Sequence, residues 1–264
     1  MPLVRATYAA LVLLGLGLAP QARAEEPEGC PGLIASAPSL SRWASLRQDT
    51  VGLTFVGHST FLIETPQGVR IATDYSDGTR PRVTPDVATM NKAHSTHFTH
   101  RPDPGIAHVL RGWNPVGGPA RHDLSVKDVR VRNVSTNIRD WGGGTEFDGN
   151  SIFVFETAQL CIAHLGHLHH SLGPEHLNKL GRIDVLLVPV DGGYTLDTFD
   201  IVEVMRQINA PLMVPMHFFG SSTLNRFLAS AKAHFPVEFS NTASITLSRE
   251  TLPKAPKILV LPGH

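Results

Sequence analysis

The stretch "NKAHSTHFTH", residues 91–100, sets His94, His97 and His100 among hydroxyl side chains directly after the apolar run "DVATM". Neutral imidazoles brought together from separate strands are ligands for a first-row metal, zinc first among them. The chain has 14 histidines, and several sit where a strand should end. His58 follows "LTFVG", His94 and His97 follow "DVATMN", His164 and His167 lie in and after "LCIAHLG", and His217 closes "PLMVPM". Strand ends and the loops beyond them are where a rigid sheet presents side chains to a shared site. His100, His108, His122, His176, His234 and His264 are read as surface or hydrogen-bonded rings. The tract "HLGHLHH" by itself is a weak metal signal. Asp74, at the end of "VRIATDY", is the carboxylate nearest to such a site in the sequence pattern. It suits proton transfer or the orienting of a ligand histidine, while a turn-capping role is the simpler alternative.

Positioning these residues requires sheets. "GLTFVG", "TFLIET" and "VRIATDY" carry β-branched and aromatic residues, and "PQG" supplies the turn between the second and third. "DVATMN", "AHVLRGW", "VRVRNVST" and "SIFVFET" continue the pattern, with "VRVRNV" alternating as a half-buried strand should. The second half changes rhythm. A short helix is expected over "GPEHLNKLG", then a strand covered on both faces at "IDVLLVPV". "TFDIVEVMRQINA" and the run carrying Leu224, Phe227, Leu228 and Ala231 have amphipathic helical spacing. "SITLS" and "KILVLPG" are late strands, and "WGGGTEFDGN" reads as a flexible loop. The pattern implies one domain, residues 51–264, of two sheets with helices outside them.

Hydrophobic residues make up 42% of the chain and charged residues 17%, a globular balance with one sizeable core. Residues 1–24, "MPLVRATYAALVLLGLGLAPQARA", have a basic start at Arg5, an apolar stretch and an A-x-A site, as an export signal does. The apolar run falls short of the roughly 20 residues a spanning helix needs, so no stable membrane insertion is expected after cleavage. Removing the segment leaves 21 basic against 23 acidic residues, a balance that does not favour nucleic acid. The expected compartment is periplasmic or extracellular, where Cys30 and Cys161 could pair or stay free. Residues 25–50, rich in Pro, Gly and Ser, read as a lead-in with one short helix around "LSRWASLRQ".

Taken together, these motifs resemble the metallo-β-lactamase-fold superfamily, and most of all the branch holding the ascorbate-6-phosphate lactonase and related metal-dependent hydrolases. "FVGHSTFLIET" resembles that branch's opening GHxxFLIE hairpin, and "GVRIATDY" its next strand. "DVATMNKAHSTH" is similar to the segment carrying HxHxDH, "IAHLGHLHH" to HxGDxGH, and "VPMHFF" falls where the last metal histidine sits. The resemblance implies an α+β fold, a four-layer αββα sandwich with its metal site where the two sheets meet, and hydrolytic chemistry. Departures are plain: Lys92 stands for the first histidine, Thr96 for the aspartate of HxHxDH, and His167 for the aspartate of HxGDxGH. The mid-chain histidine is missing, with Asn137 or Ile138 in its place. A second register would use His97 and His100 instead of His94 and His97, but it lengthens the connection from the strand.

In the first register one metal position keeps only His94, and the other keeps His97, His167 and His217. The metal set is therefore His94, His97, His167 and His217, with one zinc per chain, and His164, His169 and His170 compete with His167. Asp74, Lys92 and His58 are the candidate catalytic groups: Lys92 supplies positive charge toward a substrate oxygen, and His58 orients substrate or supports a ligand. This describes a secreted zinc-dependent hydrolase of a small ester, lactone or phosphodiester, acting through a metal-activated water. The competing expectation is a non-catalytic binding protein that keeps the fold, favoured by the loss of both family aspartates. The partner in either case is a small molecule.

Overall fold

Strands begin where β-branched and aromatic residues begin: β1 (Val51–Gly57), β2 (Thr60–Glu64) and β3 (Arg70–Ala72) form an antiparallel meander. β4 (Val87–Met90) and β5 (His108–Arg111) add to it in parallel. The chain then crosses to a second sheet, where β6 (Asp123–Val126), β7 (Val129–Arg139), β8 (Thr145–Thr157) and β9 (Leu160–His164) run antiparallel. After α1 (Pro174–Leu180) come β10 (Val185–Pro189), α2 (Thr198–Ile208), β11 (Leu212–Met216), α3 (Ser221–Ala231) and β12 (Val237–Phe239). β13 (Ser244–Leu247) returns to the first sheet beside β1, and β14 (Lys257–Val260) ends between β12 and β11. The sheets have the orders β13-β1-β2-β3-β4-β5 and β12-β14-β11-β10-β9-β8-β7-β6. This computed structural model describes residues 49–140 and 142–263. The export-signal and lead-in readings, Cys30 with its pairing to Cys161, and His264 lie outside the described residues, apart from the lead-in's last two positions.

The core lies between the sheets. Leu53, Phe61 and Ile63 of the first sheet and Phe153 and Phe155 of the second are fully buried in one continuous apolar cluster. β10 and β11 are buried along their whole length, as parallel strands covered on both faces must be. Their outer cover is helical: α2 buries Ile201, Val202, Val204 and Met205, and α3 buries Leu224, Phe227, Leu228 and Ala231. Asp197 starts α2 by accepting the N–H groups of Phe199 and Asp200. All three described helices belong to connections of the second sheet. Over β3 and β4 of the first, Ala72, Ala88 and Met90 pack instead with Tyr75, Ile106, Phe98 and Trp113 from coil. Among the described residues, those segments cover this part of the first sheet's outer face.

Two local expectations change. "TEFDGN" is the first half of the 13-residue strand β8, not a loop, and only Gly142–Gly144 turn between β7 and β8. The alternation of burial in β7 fails at Arg132, which shares its face with Arg130 and is covered there by the end of α1. The arrangement has one consequence for chemistry. β9, β10 and β11 are parallel and in register, Leu187 with His164 and Pro189 with Met216, so His164, Asp191 and His217 all emerge at one edge. Carboxyl ends of strands are where open α/β sheets bind ligands.

Candidate metal centre

Three residues at this edge hold left-handed backbone without being glycine: His58 (φ 52°) between β1 and β2, Asp74 (φ 42°) after β3, and His217 (φ 55°) after β11. Each such residue costs on the order of 1–3 kcal/mol and persists only where its surroundings fix it. The fixing contacts cross between the sheets. His217 N–H donates to His58 O at 2.7 Å, and His164 Nε2 lies 2.8 Å from Ser59 O. Asn91 donates from Nδ2 to Asp74 Oδ1 at 3.0 Å and accepts the Ser151 N–H at Oδ1 at 2.8 Å. Gly166 (φ 62°) lies against the same amides: a Cβ there would stand 2.4 Å from both Asn150 Oδ1 and Asn91 Nδ2. The glycine of "HLGH" is therefore required by space as well as by φ.

Within this frame His94, His97, His167 and His217 converge, each offering one ligand atom, all within 4.8 Å of one another. The Nε2 atoms of His94 and His167 are 2.8 Å apart, and those of His97 and His217 are 3.1 Å apart. Tetrahedral zinc with Zn–N near 2.05 Å spaces its nitrogens by roughly 3.3 Å, so the set fits one ion. The second nitrogen of each ring is also engaged. His97 Nδ1 lies 2.5 Å from Asp74 Oδ2 and 3.1 Å from Ser59 Oγ. His167 Nδ1 meets His169 Nε2, and His94 Nδ1 is 2.7 Å from Thr96 Oγ1. His217 Nδ1 is 2.9 Å from Asp191 Oδ2, at ion-pair distance but off the angle of a hydrogen bond. Asp74 and Thr96 in this way fix the proton of His97 and His94 on Nδ1 and aim Nε2 at a metal. The Arg139 N–H on His169 Nδ1 instead makes neutral His169 the donor to His167 Nδ1, so a metal at His167 Nε2 would have to displace the proton there.

Burial governs the charges. It pushes His97 and His167 well below the usual histidine range and lowers His94 in the same direction, with the neighbouring histidines adding to it. These rings are neutral at neutral pH, the form a metal needs. Burial raises Asp74 against the opposing pull of His164, Asn91 and Ser59. Burial would raise Asp191 too, but His217, Thr195 and the Gly193 N–H hold it well below the carboxylate range.

His94 joins the other three ligands, so the expected split into a three-histidine site and a lone His94 gives way to one four-histidine cluster. Asp74 is fully buried and behind His97, which suits an orienting part and removes it from contact with a substrate. His58 is half-buried at the rim, 3.0 Å through Nε2 from Thr96 Oγ1, and lowered to about 4 by burial and by His217. Lys92 is exposed and its Nζ is ion-paired with Glu146 of β8 instead of facing the histidines. Of the competing ligands, His164 is engaged on both nitrogens, by Ser59 O and the Gly166 N–H, and His169 stands behind His167. His100 is exposed, edge-on to Phe98. The sequence reading missed Asp191, whose only signal was its place just beyond β10, and Arg139, whose N–H donates to His169 Nδ1 at 2.5 Å.

Comparison with known proteins agrees with this geometry. The model of the "Beta-lactamase superfamily domain" matches residues 52–217, more than half of the chain. A "UPF0173 metal-dependent hydrolase" of Methanoculleus marisnigri is 26% identical over 180 residues, covering 63% of this chain and 80% of that one. Another from Thermoplasma volcanium is 23% identical over 230 residues, covering 77% and 96%. Among solved structures, a Thermotoga maritima protein assigned as a Zn-dependent hydrolase of the metallo-β-lactamase superfamily has a TM-score of 0.59 at 28% identity, covering 81% of this chain and all of that one. The chain belongs to the beta-lactamase superfamily, as a metal-dependent hydrolase of the metallo-β-lactamase fold.

Proposed function

We propose that His94, His97, His167 and His217 hold a single zinc ion and that the chain hydrolyses a small ester, lactone or phosphodiester after export to the periplasm or the medium. The observation that carries this reading is the set of four inward Nε2 atoms, each on a ring whose Nδ1 is already engaged. Four imidazoles would fill a tetrahedral shell, so zinc held there would supply Lewis acidity and lower the pKa of a water only by admitting it as a fifth ligand. The chain's own residues do the rest. Asp74 keeps the proton of His97 on Nδ1, leaving Nε2 free, and Asp191 stands behind His217 in the same way. His94 is the half-exposed member of the set, so approach from solvent is on its side, between His94 and His58. His58 is neutral through its lowered pKa, and its Nε2, 3.0 Å from Thr96 Oγ1, anchors the hydroxyl that in turn lies 2.7 Å from His94 Nδ1, so it orients a ligand histidine through Thr96. Lys92, ion-paired to Glu146, takes the rim as a charged border. Export rests on the basic start, apolar stretch and A-x-A site of residues 1–24.

The test is elemental mass spectrometry of the purified mature protein beside a His97→Ala/His217→Ala variant, followed by esters, lactones and phosphodiesters as substrates. About one zinc per chain, absent from the variant, with turnover of one class, is expected. A protein that takes up no metal when zinc is supplied sinks the reading.

A further inference from the structure

Two large side chains at the mouth of the histidine cluster face solvent although nothing in folding asks it of them. Tyr194 is 66% exposed and Phe219 57% exposed, and their rings meet edge to face at 5.6 Å. Phe219 also lies 5.4 Å from the His217 ring and 5.8 Å from the His58 ring. Phe218, one position earlier, is buried and packs on Phe55, so the core takes one phenylalanine of the pair and leaves the other outside. Single exposed apolar residues need no explanation, but an aromatic pair touching a polar centre differs from that background.

The pair is also held in place. Asp191 Oδ1 accepts the N–H groups of Gly193 and Tyr194 at 2.8 and 2.5 Å, and that of Thr195 at 3.2 Å. The Arg139 guanidinium donates to the carbonyls of Gly193, Tyr194 and Thr195 at 2.8, 2.8 and 2.9 Å. The segment that presents Tyr194 is thus gripped by the same carboxylate that stands behind His217 and by the residue whose N–H fixes His169. A recognition surface rigidly tied to the reacting centre loses little entropy on binding.

From this placement we infer that Tyr194 and Phe219 form a binding platform for a flat apolar group, so that the ligand of this centre is an aryl- or similarly substituted carboxyl compound with its polar end at the histidines. The inference rests on the proposed hydrolytic site and narrows its substrate class. Aromatic faces and edges favour offset or edge-on contact with another ring. The apolar group would lie over Phe219 and Tyr194 while the carboxyl or ester carbon reaches the space beside His58 and His94.

Benzoate and acetate, titrated calorimetrically into the zinc-loaded full chain and into a Tyr194→Ala/Phe219→Ala variant, separate the ring's contribution from that of the carboxylate. Benzoate is expected to bind the unchanged protein more tightly than acetate. In the variant its affinity should fall about tenfold, the size expected of two aromatic contacts, with acetate affinity and zinc content unchanged. Single Tyr194→Ala and Phe219→Ala variants give intermediate losses and serve if the double variant is unstable. Equal benzoate and acetate affinity in the unchanged protein overturns the inference, as does equal weakening of both ligands in the variant. So does a variant that binds benzoate normally but changes its sedimentation or its binding to liposomes, which would assign the rings to a second copy or a lipid surface. Failure of the hydrolytic reading shows separately, as zinc-loaded protein that distinguishes benzoate from acetate yet turns over no ester, lactone or phosphodiester.

Discussion

Asp74 and Asp191 restore at one remove what the motif substitutions take away. With Thr96 and His167 where the family has aspartates, four neutral imidazoles would leave a divalent ion uncompensated, but a carboxylate stands behind His97 and another beside His217. Replacing Asp74 by asparagine keeps the volume and reverses the polarity. An amide N–H facing His97 Nδ1 favours the tautomer with its proton on Nε2, which blocks the ligand atom. Asp74→Asn and Asp191→Asn should each lower zinc affinity 10–100-fold, the usual size for such partners, measured by competition with a chromophoric chelator. Unchanged affinity in both would place the ion elsewhere. Gly166→Ala should reduce soluble yield and zinc content together, because its Cβ would meet Asn91 and Asn150 at 2.4 Å. The histidines were legible because each follows an apolar strand and so had to lie at a sheet edge. Asp191 was not, because its contact with His217 joins the ends of two neighbouring parallel strands and no motif marks it. The position of Lys92 was legible while its partner was not: Glu146 reaches it only because β8 is longer than its apolar half.

The same contrast appears at the level of elements. β1, β2, β4, β5, β9, β10, β11 and the helices follow from periodicity, since each has one covered face or two. β6 and β12 are edge strands of four and three residues, too short to display a period, so their pairing comes from neighbours and not from their own pattern. β13 and β14 read alike in sequence yet enter different sheets, a choice made by the edges left open at β1 and β11. Arg132 shows why alternation fails in β7. Its Nε donates to the buried Glu156 of β8 at 2.6 Å, and its two other nitrogens donate to the Lys179 and Leu180 carbonyls at 2.8 Å, closing the end of α1. Arg130, Arg132 and Glu156 thus share one face of the sheet, and the end of α1 covers Arg132 there, so the period of side-chain direction holds while the alternation of burial does not. Arg132→Ala would leave buried Glu156 with only the longer Arg130 contact at 3.4 Å and free two helix-terminal carbonyls. It should cost about 3–5 kcal/mol by denaturant unfolding, while an Arg132→Met/Glu156→Leu pair should recover much of that loss. Equal losses in the single and double variants would assign the effect to packing instead of charge.

For the molecule as a whole, the histidine-rich edge makes stability depend on protons and metal together. In the unfolded chain histidines titrate near 6.5, whereas His58 and His169 are lowered to about 4 in the fold and burial holds His97 and His167 well below the usual range. Folded values below unfolded ones mean that this stability is present above pH 6.5 and is lost as pH falls through the folded values, since the unfolded chain then binds more protons. Asp74 has the opposite sign, its raised value favouring the fold in acid, but it is one group against several. The metal-free protein should therefore melt progressively lower between pH 7 and pH 4.5. Zinc bound as proposed, to the folded form alone, would add about 2.7 kcal/mol at a free concentration a hundredfold above its dissociation constant. For a chain of this size that is roughly 5–10 °C in melting temperature at pH 7.5. Because the fold keeps these rings neutral well below pH 6.5, protons compete with zinc for their nitrogens only as pH falls through the lowered values, so the zinc increment at a fixed zinc concentration should persist at pH 5 and be lost below it. Calorimetric scans with zinc and with a chelator across this range distinguish the sources. A falling metal-free curve with a zinc increment that survives at pH 5 is the signature of one buried, neutral histidine centre. A metal-free curve that stays flat to pH 4.5 would mean that these rings exchange protons with solvent freely, and that the edge is too open to hold an ion in the way their geometry implies.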